Sequence, residues 1–168
     1  MENVTIREIR VDEYGKLEDM MYEAVFQADE SNPIPRTVLE YPIVNMYIKD
    51  FGTLPGDYCL VADVDGEVIG AVWVRVLLYE IEGFGKTPDN TPEIVISLYK
   101  PYRCKGIGTR LMLKMLIYLK KKGYPQVFLK VEKPNYAVQL YRKLGFKFIG
   151  ENDEDYFMLL DMDNYTLL

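Results

Sequence analysis

Histidine is absent from this 168-residue chain, and the absence excludes more chemistry than any single residue establishes. Ser-His-Asp and Cys-His nucleophiles are ruled out, and most zinc chemistry with them. Any general acid or base must be a carboxylate, tyrosine, lysine, cysteine or water. Cysteine is nearly as scarce: Cys59 and Cys104 are too few for a disulfide scaffold or a zinc site, and read as reduced thiols of a cytoplasmic protein with no metal. Long apolar runs are missing, and the start Met-Glu-Asn-Val-Thr lacks the basic and apolar regions of a signal peptide, so no membrane partner is expected. Acid is depleted in one stretch. Tyr99 to Lys147 holds thirteen Lys/Arg and one acid, Glu132, a charge of +12 against −18 for the remainder. A block of that sign suggests a polyanion, either nucleic acid or a multiply phosphorylated cofactor, although a solvated basic face explains it too.

What is present describes one globular domain over residues 1–168: 49% hydrophobic and 27% charged residues, with no repeats and no dividing linker. Val4–Val11 reads as a strand. Asp12 is placed to cap a helix carrying Leu17, Met20, Met21, Ala24, Val25 and Ala28 at helical spacing, broken by Asn32-Pro33-Ile34-Pro35. A second helix is expected from Pro42 to just before Gly52. Asp65-Gly66 joins Asp57–Val64 to Glu67–Glu80 as a hairpin, followed by a loop through Gly83-Phe84-Gly85 and Pro88–Pro92. A strand at Glu93–Tyr99, a helix at Ile107–Lys122, a strand at Val127–Val131, a helix at Tyr136–Leu144 and a closing hairpin of Phe146–Ile149 with Tyr156–Asp161 complete the chain. The order β-α-α-β-β-β-α-β-α-β-β predicts an α/β, mixed-sheet fold flanked by helices.

The segment Tyr102-Arg103-Cys104-Lys105-Gly106-Ile107-Gly108-Thr109 stands between a strand and a helix. Glycines there let the backbone approach a ligand, and the unpaired N–H groups of the helix start favour an anion. By contrast, Gly85-Lys86-Thr87 is no phosphate loop, because Glu80 stands where its first glycine should be and Pro88 blocks the helix. No nucleic-acid signature accompanies the basic block, so nucleic acid is not expected as a partner.

Arg103-Cys-Lys-Gly106-Ile-Gly108, with Asn135-Tyr-Ala-Val-Gln-Leu-Tyr141-Arg-Lys-Leu-Gly145-Phe146 downstream, resembles the two motifs of the GNAT superfamily of acetyl-CoA-dependent N-acetyltransferases. The resemblance covers nearly the whole chain. It implies that two central strands splay apart and that acetyl-CoA is the co-substrate. Arg103, Cys104, Lys105, Gly106, Ile107, Gly108 and Thr109 would then contact the pyrophosphate. Leu98 and Tyr99 would form a bulge that pairs with the pantetheine arm, with a backbone N–H near Tyr99 as oxyanion donor, and Asn135 would meet the arm beyond the splay. Tyr141 would be the acid for the coenzyme thiolate and Glu93 the base.

Each of the last two has a plainer reading, Tyr141 as packing beside Leu140, Leu144 and Phe146, and Glu93 as a polar strand start. The chain departs from the family in Pro101-Tyr102-Arg103-Cys104, one residue shorter after the proline and with cysteine for a glycine; a positive φ there would strain Cys104. The resemblance implies acetyl transfer to a primary amine of a small molecule or peptide. A non-catalytic acyl-CoA sensor of the same fold is the alternative. Acids in the variable regions (Asp29, Glu30, Glu80, Glu82, Asp153, Glu154 and Asp155) favour a cationic acceptor, and the oligomeric state, a homodimer included, stays open.

Overall fold

Asp65 and Gly66 both take positive φ, 51° and 90°, the backbone of a two-residue hairpin turn that matches strand twist. The strands around it are β1 (Thr5–Glu8), β2 (Tyr58–Val64), β3 (Glu67–Val76), β4 (Glu80–Ile81), β5 (Gly85–Lys86), β6 (Pro92–Leu98), β7 (Gln126–Glu132), β8 (Lys147–Glu151) and β9 (Asp155–Asp161). Seven of them form one sheet in the order β1-β2-β3-β6-β7-β9-β8, and the short pair β4 and β5 stands apart. The helices are α1 (Leu17–Ala24), α2 (Pro42–Asn45), α3 (Ile107–Lys121) and α4 (Ala137–Lys143). This computed structural model describes residues 3–166; positions 1–2 and 167–168 of the expected unit lie outside them. Among the described residues no helix is long and apolar enough to cross a membrane.

Helix α3 forms because Ile107, Leu111, Met112, Met115, Leu116 and Leu119 fall on one stripe, all buried. Each contributes roughly 1.5–3 kcal/mol of burial. Lys120 and Lys121 favour its C-terminal dipole, and Gly123, at φ +80°, ends it. With α4 it covers one sheet face; α1, Tyr47 and Phe51 cover the other, over Trp73.

Four local expectations are corrected. The first helix does not start at Asp12. Residues Val11–Lys16, which include Gly15, form a 3-10 turn, and Glu13 folds back to accept the Arg10 N–H at 3.0 Å. Arg7 and Arg10 hold that buried carboxylate at 2.7–2.8 Å, so the Asp12 side chain stays in water, and α1 stops at Ala24, leaving Ala28 exposed. Helix α2 is a single turn. The carbonyls of Met46 and Lys49 accept from Arg75 at 3.0 and 2.6 Å instead of continuing the helix, and Asp57 balances that buried guanidinium at 2.9 Å. Strand β3 leaves the sheet at Val76, not Glu80, because Phe84 packs on Phe157 with ring centroids 4.1 Å apart and draws β4–β5 into its own hairpin. Finally, no bulge interrupts the pairing of β6 with β3: the register runs unbroken from Val76↔Pro92 to Gly70↔Leu98.

Candidate active site

Strands β6 and β7 run parallel and meet at one residue pair, Glu93↔Phe128. Beyond it they diverge, and the opening carries a cavity of about 590 Å³, a volume ordinary for a small-molecule site. The glycine turn closes one side, α4 a second, and the last turn of α1 with the segment after it, including Tyr22, Phe26, Gln27 and Pro33, a third. Much of that third wall falls in the variable region expected to line an acceptor pocket, Glu30 among it. The Tyr22 hydroxyl donates to the Ile34 carbonyl at 2.6 Å, and the Ile34 N–H donates to Gln27 Oε1 at 2.8 Å, which holds it in place.

The turn has the geometry the anion reading needs. Cys104 and Gly106 sit at φ +58° and +79°, so the cysteine is in the region that strains an L residue. No side chain caps α3. Its first N–H groups, at Ile107, Gly108 and Thr109, lie in the first turn, where a helix supplies no carbonyl partner. Nothing approaches within 4 Å of where a Gly106 Cβ would be, so the space beside those donors is open. The residues present therefore fit a phosphate-bearing ligand with a long arm.

The structure brings Leu98, Cys104, Gly106, Gly108, Thr109, Asn135 and Tyr141 around the cavity, together with Arg103. Arg103 turns its guanidinium inward, with Nε donating to the Leu98 carbonyl at 2.8 Å and Nη2 to Glu23 at 2.9 Å. Asn135 Oδ1 accepts the Ala137 N–H at 2.9 Å and so orders the start of α4. Tyr141 is 8% exposed, and burial, with the charge of Glu132 adding, pushes its phenol well above the usual range. Of the basic block, Lys100, Arg103 and Lys143 line the cavity, and the first two are paired with Glu30 and Glu23.

Four expected residues stand elsewhere. The Ile107 side chain is 4% exposed in the core and offers only its backbone. Lys105 lies over the Tyr102 ring at 5.9 Å. The Tyr99 N–H donates to the Ile69 carbonyl at 3.0 Å, so it is already paired within the sheet. Successive N–H groups of a strand point to opposite edges, which turns those of Ile96 and Leu98 toward the gap in its place. Leu98 lies over Gly70, its Cδ2 filling the position that a Gly70 Cβ would take. Glu93 lies outside the cavity and is 3% exposed. Tyr47 donates to its Oε1 at 2.6 Å, and Tyr79 reaches its two oxygens at 3.2 and 3.1 Å. Burial pushes this carboxyl up to about 7, against the pull of both tyrosines and of Lys130.

Comparison with known proteins places this arrangement. The solved PaiA N-acetyltransferase of Thermoplasma acidophilum, in complex with coenzyme A, shares the fold at TM-score 0.66 with 22% identity, over 95% of this chain and 99% of that one. Among curated proteins, the chain is 34% identical to a mycothiol acetyltransferase of Saccharomonospora viridis over 59% of its own length and 32% of the relative's. It is likewise 34% identical to an N-alpha-acetyltransferase of Sulfurisphaera tokodaii over 52% of its length and 54% of that protein's. It thus spans about a third to a half of these curated relatives. The model of the acetyltransferase (GNAT) family matches residues 10–146, and the chain belongs to that family.

Proposed function

We propose that residues 1–168 act as a single N-acetyltransferase domain, moving an acetyl group from acetyl-CoA to a primary amine. The observation that carries this reading is the gap between β6 and β7, which joins an anion-binding turn to a buried phenol in one cavity. Acetyl-CoA supplies an activated acetyl thioester. The N–H groups of α3's first turn hold its phosphates, and the space at Gly106 admits them. Leu98 and Ile96 donate their N–H groups to the carbonyl oxygen as it gains charge. Tyr141, kept protonated by burial, gives its proton to the departing thiolate, whose conjugate acid has an ordinary pKa near 8.5. An amine with pKa near 10.4 is neutral in about one part in a few thousand at pH 7, roughly 4–5 kcal/mol of deprotonation. Glu93, raised toward neutrality, is the base matched to that task.

The acceptor on this reading is a cationic amine. Glu30 lines the cavity. Asn152 Nδ2 donates to the Glu82 carbonyl at 3.1 Å, which sets Glu80 and Glu82 beside Asp153, Glu154 and Asp155 at one end of the sheet. Such a field attracts cations more strongly at low salt. The test is thiol release from acetyl-CoA with spermidine, L-lysinamide, a tripeptide with a free α-amine, and glutamate. Transfer to the cationic amines, with kcat/KM falling as salt rises, is expected. Preference for glutamate overturns the acceptor class, and no release with any amine overturns the activity.

A further inference from the structure

The base assigned above has no open path to a substrate. Glu93 is sealed from solvent, and its oxygens are occupied by the hydroxyls of Tyr47 and Tyr79, themselves 2.8 Å apart. Ile96, whose N–H faces the gap, is three residues further along β6, roughly 10 Å away. A carboxylate under two tyrosines cannot touch an amine attacking there. Yet the site is a costly one to maintain for packing alone, since a buried carboxylate with no salt bridge carries a desolvation cost that two hydroxyl hydrogen bonds only partly offset.

The surroundings single out one of the two tyrosines. Tyr47 is core: it is buried, its carbonyl accepts the Trp73 Nε1–H at 3.1 Å, and it packs with Phe51 and Trp73. Tyr79 is half-buried, next to the exposed Leu78, on the segment linking β3 to β4. Thr87 holds its backbone twice, accepting the Tyr79 N–H at 3.2 Å and donating its own N–H to the Tyr79 carbonyl at 3.0 Å. The charged groups facing the cluster are Lys130 on β7 and Asp155 on β9. Arg75, opposite Glu93 on β3, is turned away to Asp57.

We propose that Tyr79 carries the acceptor's proton to Glu93, making Tyr47, Tyr79 and Glu93 together the base of the reaction; the proposal rests on the transfer activity argued above. Tyr79 does not itself line the cavity, so the ammonium's proton reaches the Tyr79 oxygen through intervening water as Tyr79 gives its own to Glu93. One N–H bond breaks, one O–H bond forms on the carboxyl, the phenol is restored, and the amine is left neutral for attack. Tyr47 is a positioning residue that keeps the carboxylate aimed at Tyr79.

The test is kcat/KM against pH for wild type, Tyr79→Phe, Tyr47→Phe and Glu93→Gln, with spermidine and L-lysinamide as acceptors. Wild type should gain activity as pH rises through about 7, where Glu93 ionises. Tyr79→Phe should lose about tenfold or more at pH 7 with its melting temperature little changed. Tyr47→Phe should keep its plateau but need higher pH to reach it, because a hydrogen bond that favours the ionised carboxyl is gone. Glu93→Gln should lose the acid limb. Unmoved Tyr79→Phe and Tyr47→Phe profiles overturn the relay alone, as does a Tyr79→Phe loss equal at every pH with the limb in place. If Tyr79→Phe does not fold, an unmoved limb in Tyr47→Phe is decisive against it. A wild type that acetylates none of the panel removes the activity itself.

Discussion

Replacing Gly106 by valine separates the two things that glycine does, shaping the turn and leaving room for a phosphate. The residue sits at φ +79° with nothing within 4 Å of where a Cβ would stand, so no fold clash arises and the cost to stability is backbone alone. For a β-branched residue in the left-handed region that cost is about 1–3 kcal/mol. A domain of this size loses roughly 2–4 °C per kcal/mol, which leaves the variant folded. Binding should suffer more. The new methyl groups enter the open space beside the first N–H groups of α3. Losing one charge-assisted hydrogen bond there costs about 1.5–3 kcal/mol, so acetyl-CoA affinity should fall roughly ten- to a hundredfold. Gly123 is a built-in control, at φ +80° with an equally empty Cβ position at the far end of the same helix. Calorimetric titration of acetyl-CoA and thermal melts of both valine variants decide the matter. Similar losses of stability with weakened binding only in Gly106→Val are expected. Wild-type affinity in Gly106→Val, or equal weakening in Gly123→Val, refutes the reasoning.

Three further outcomes follow from other parts of the molecule. Tyr141→Phe should keep acetyl-CoA binding and lower kcat by about ten- to a thousandfold, measured under conditions where chemistry limits turnover; unchanged kcat makes Tyr141 a packing residue. Gly70→Val should displace Leu98, whose Cδ2 occupies the Cβ position, lowering stability by about 1–3 kcal/mol and weakening acetyl-CoA binding in the same melts and titrations. Arg7 and the Arg10 N–H hold Glu13 down to about 2. A depressed carboxyl contributes stability above its unfolded value and loses it as pH falls through the folded one, so wild type should weaken from about pH 4.5 toward pH 2. Glu13→Gln should be less stable by about 2 kcal/mol at pH 7, with the difference shrinking across that window in urea unfolding series.

Much of the fold and part of the site were legible in the residues alone, because their causes are local. The stripe on α3, the Asp65-Gly66 hairpin and the glycine turn depend on neighbours a few positions away, and two motifs in order were enough to place the chain in its family. The expected strain at Cys104 is present for the same reason: its φ is set by the turn it stands in. Local preference failed where a distant partner overrode it. Arg75 ends α2 by taking carbonyls 26 and 29 residues away. Glu13 replaces Asp12 at the head of the first helix because Arg7 and Arg10 surround it.

The sequence by itself determined the class of protein, the glycine turn before α3 and the place of Tyr141 on α4, since each is written as a spacing within one segment. Only the tertiary structure decided which groups are free to act there. It used up the Tyr99 N–H in a strand pairing, turned Arg103 back onto Leu98, and closed Glu93 under Tyr47 and Tyr79, which lie 46 and 14 residues away in the chain. A hydrogen bond or a desolvated charge depends on what packs against a group, and packing brings together residues whose separation in sequence carries no pattern.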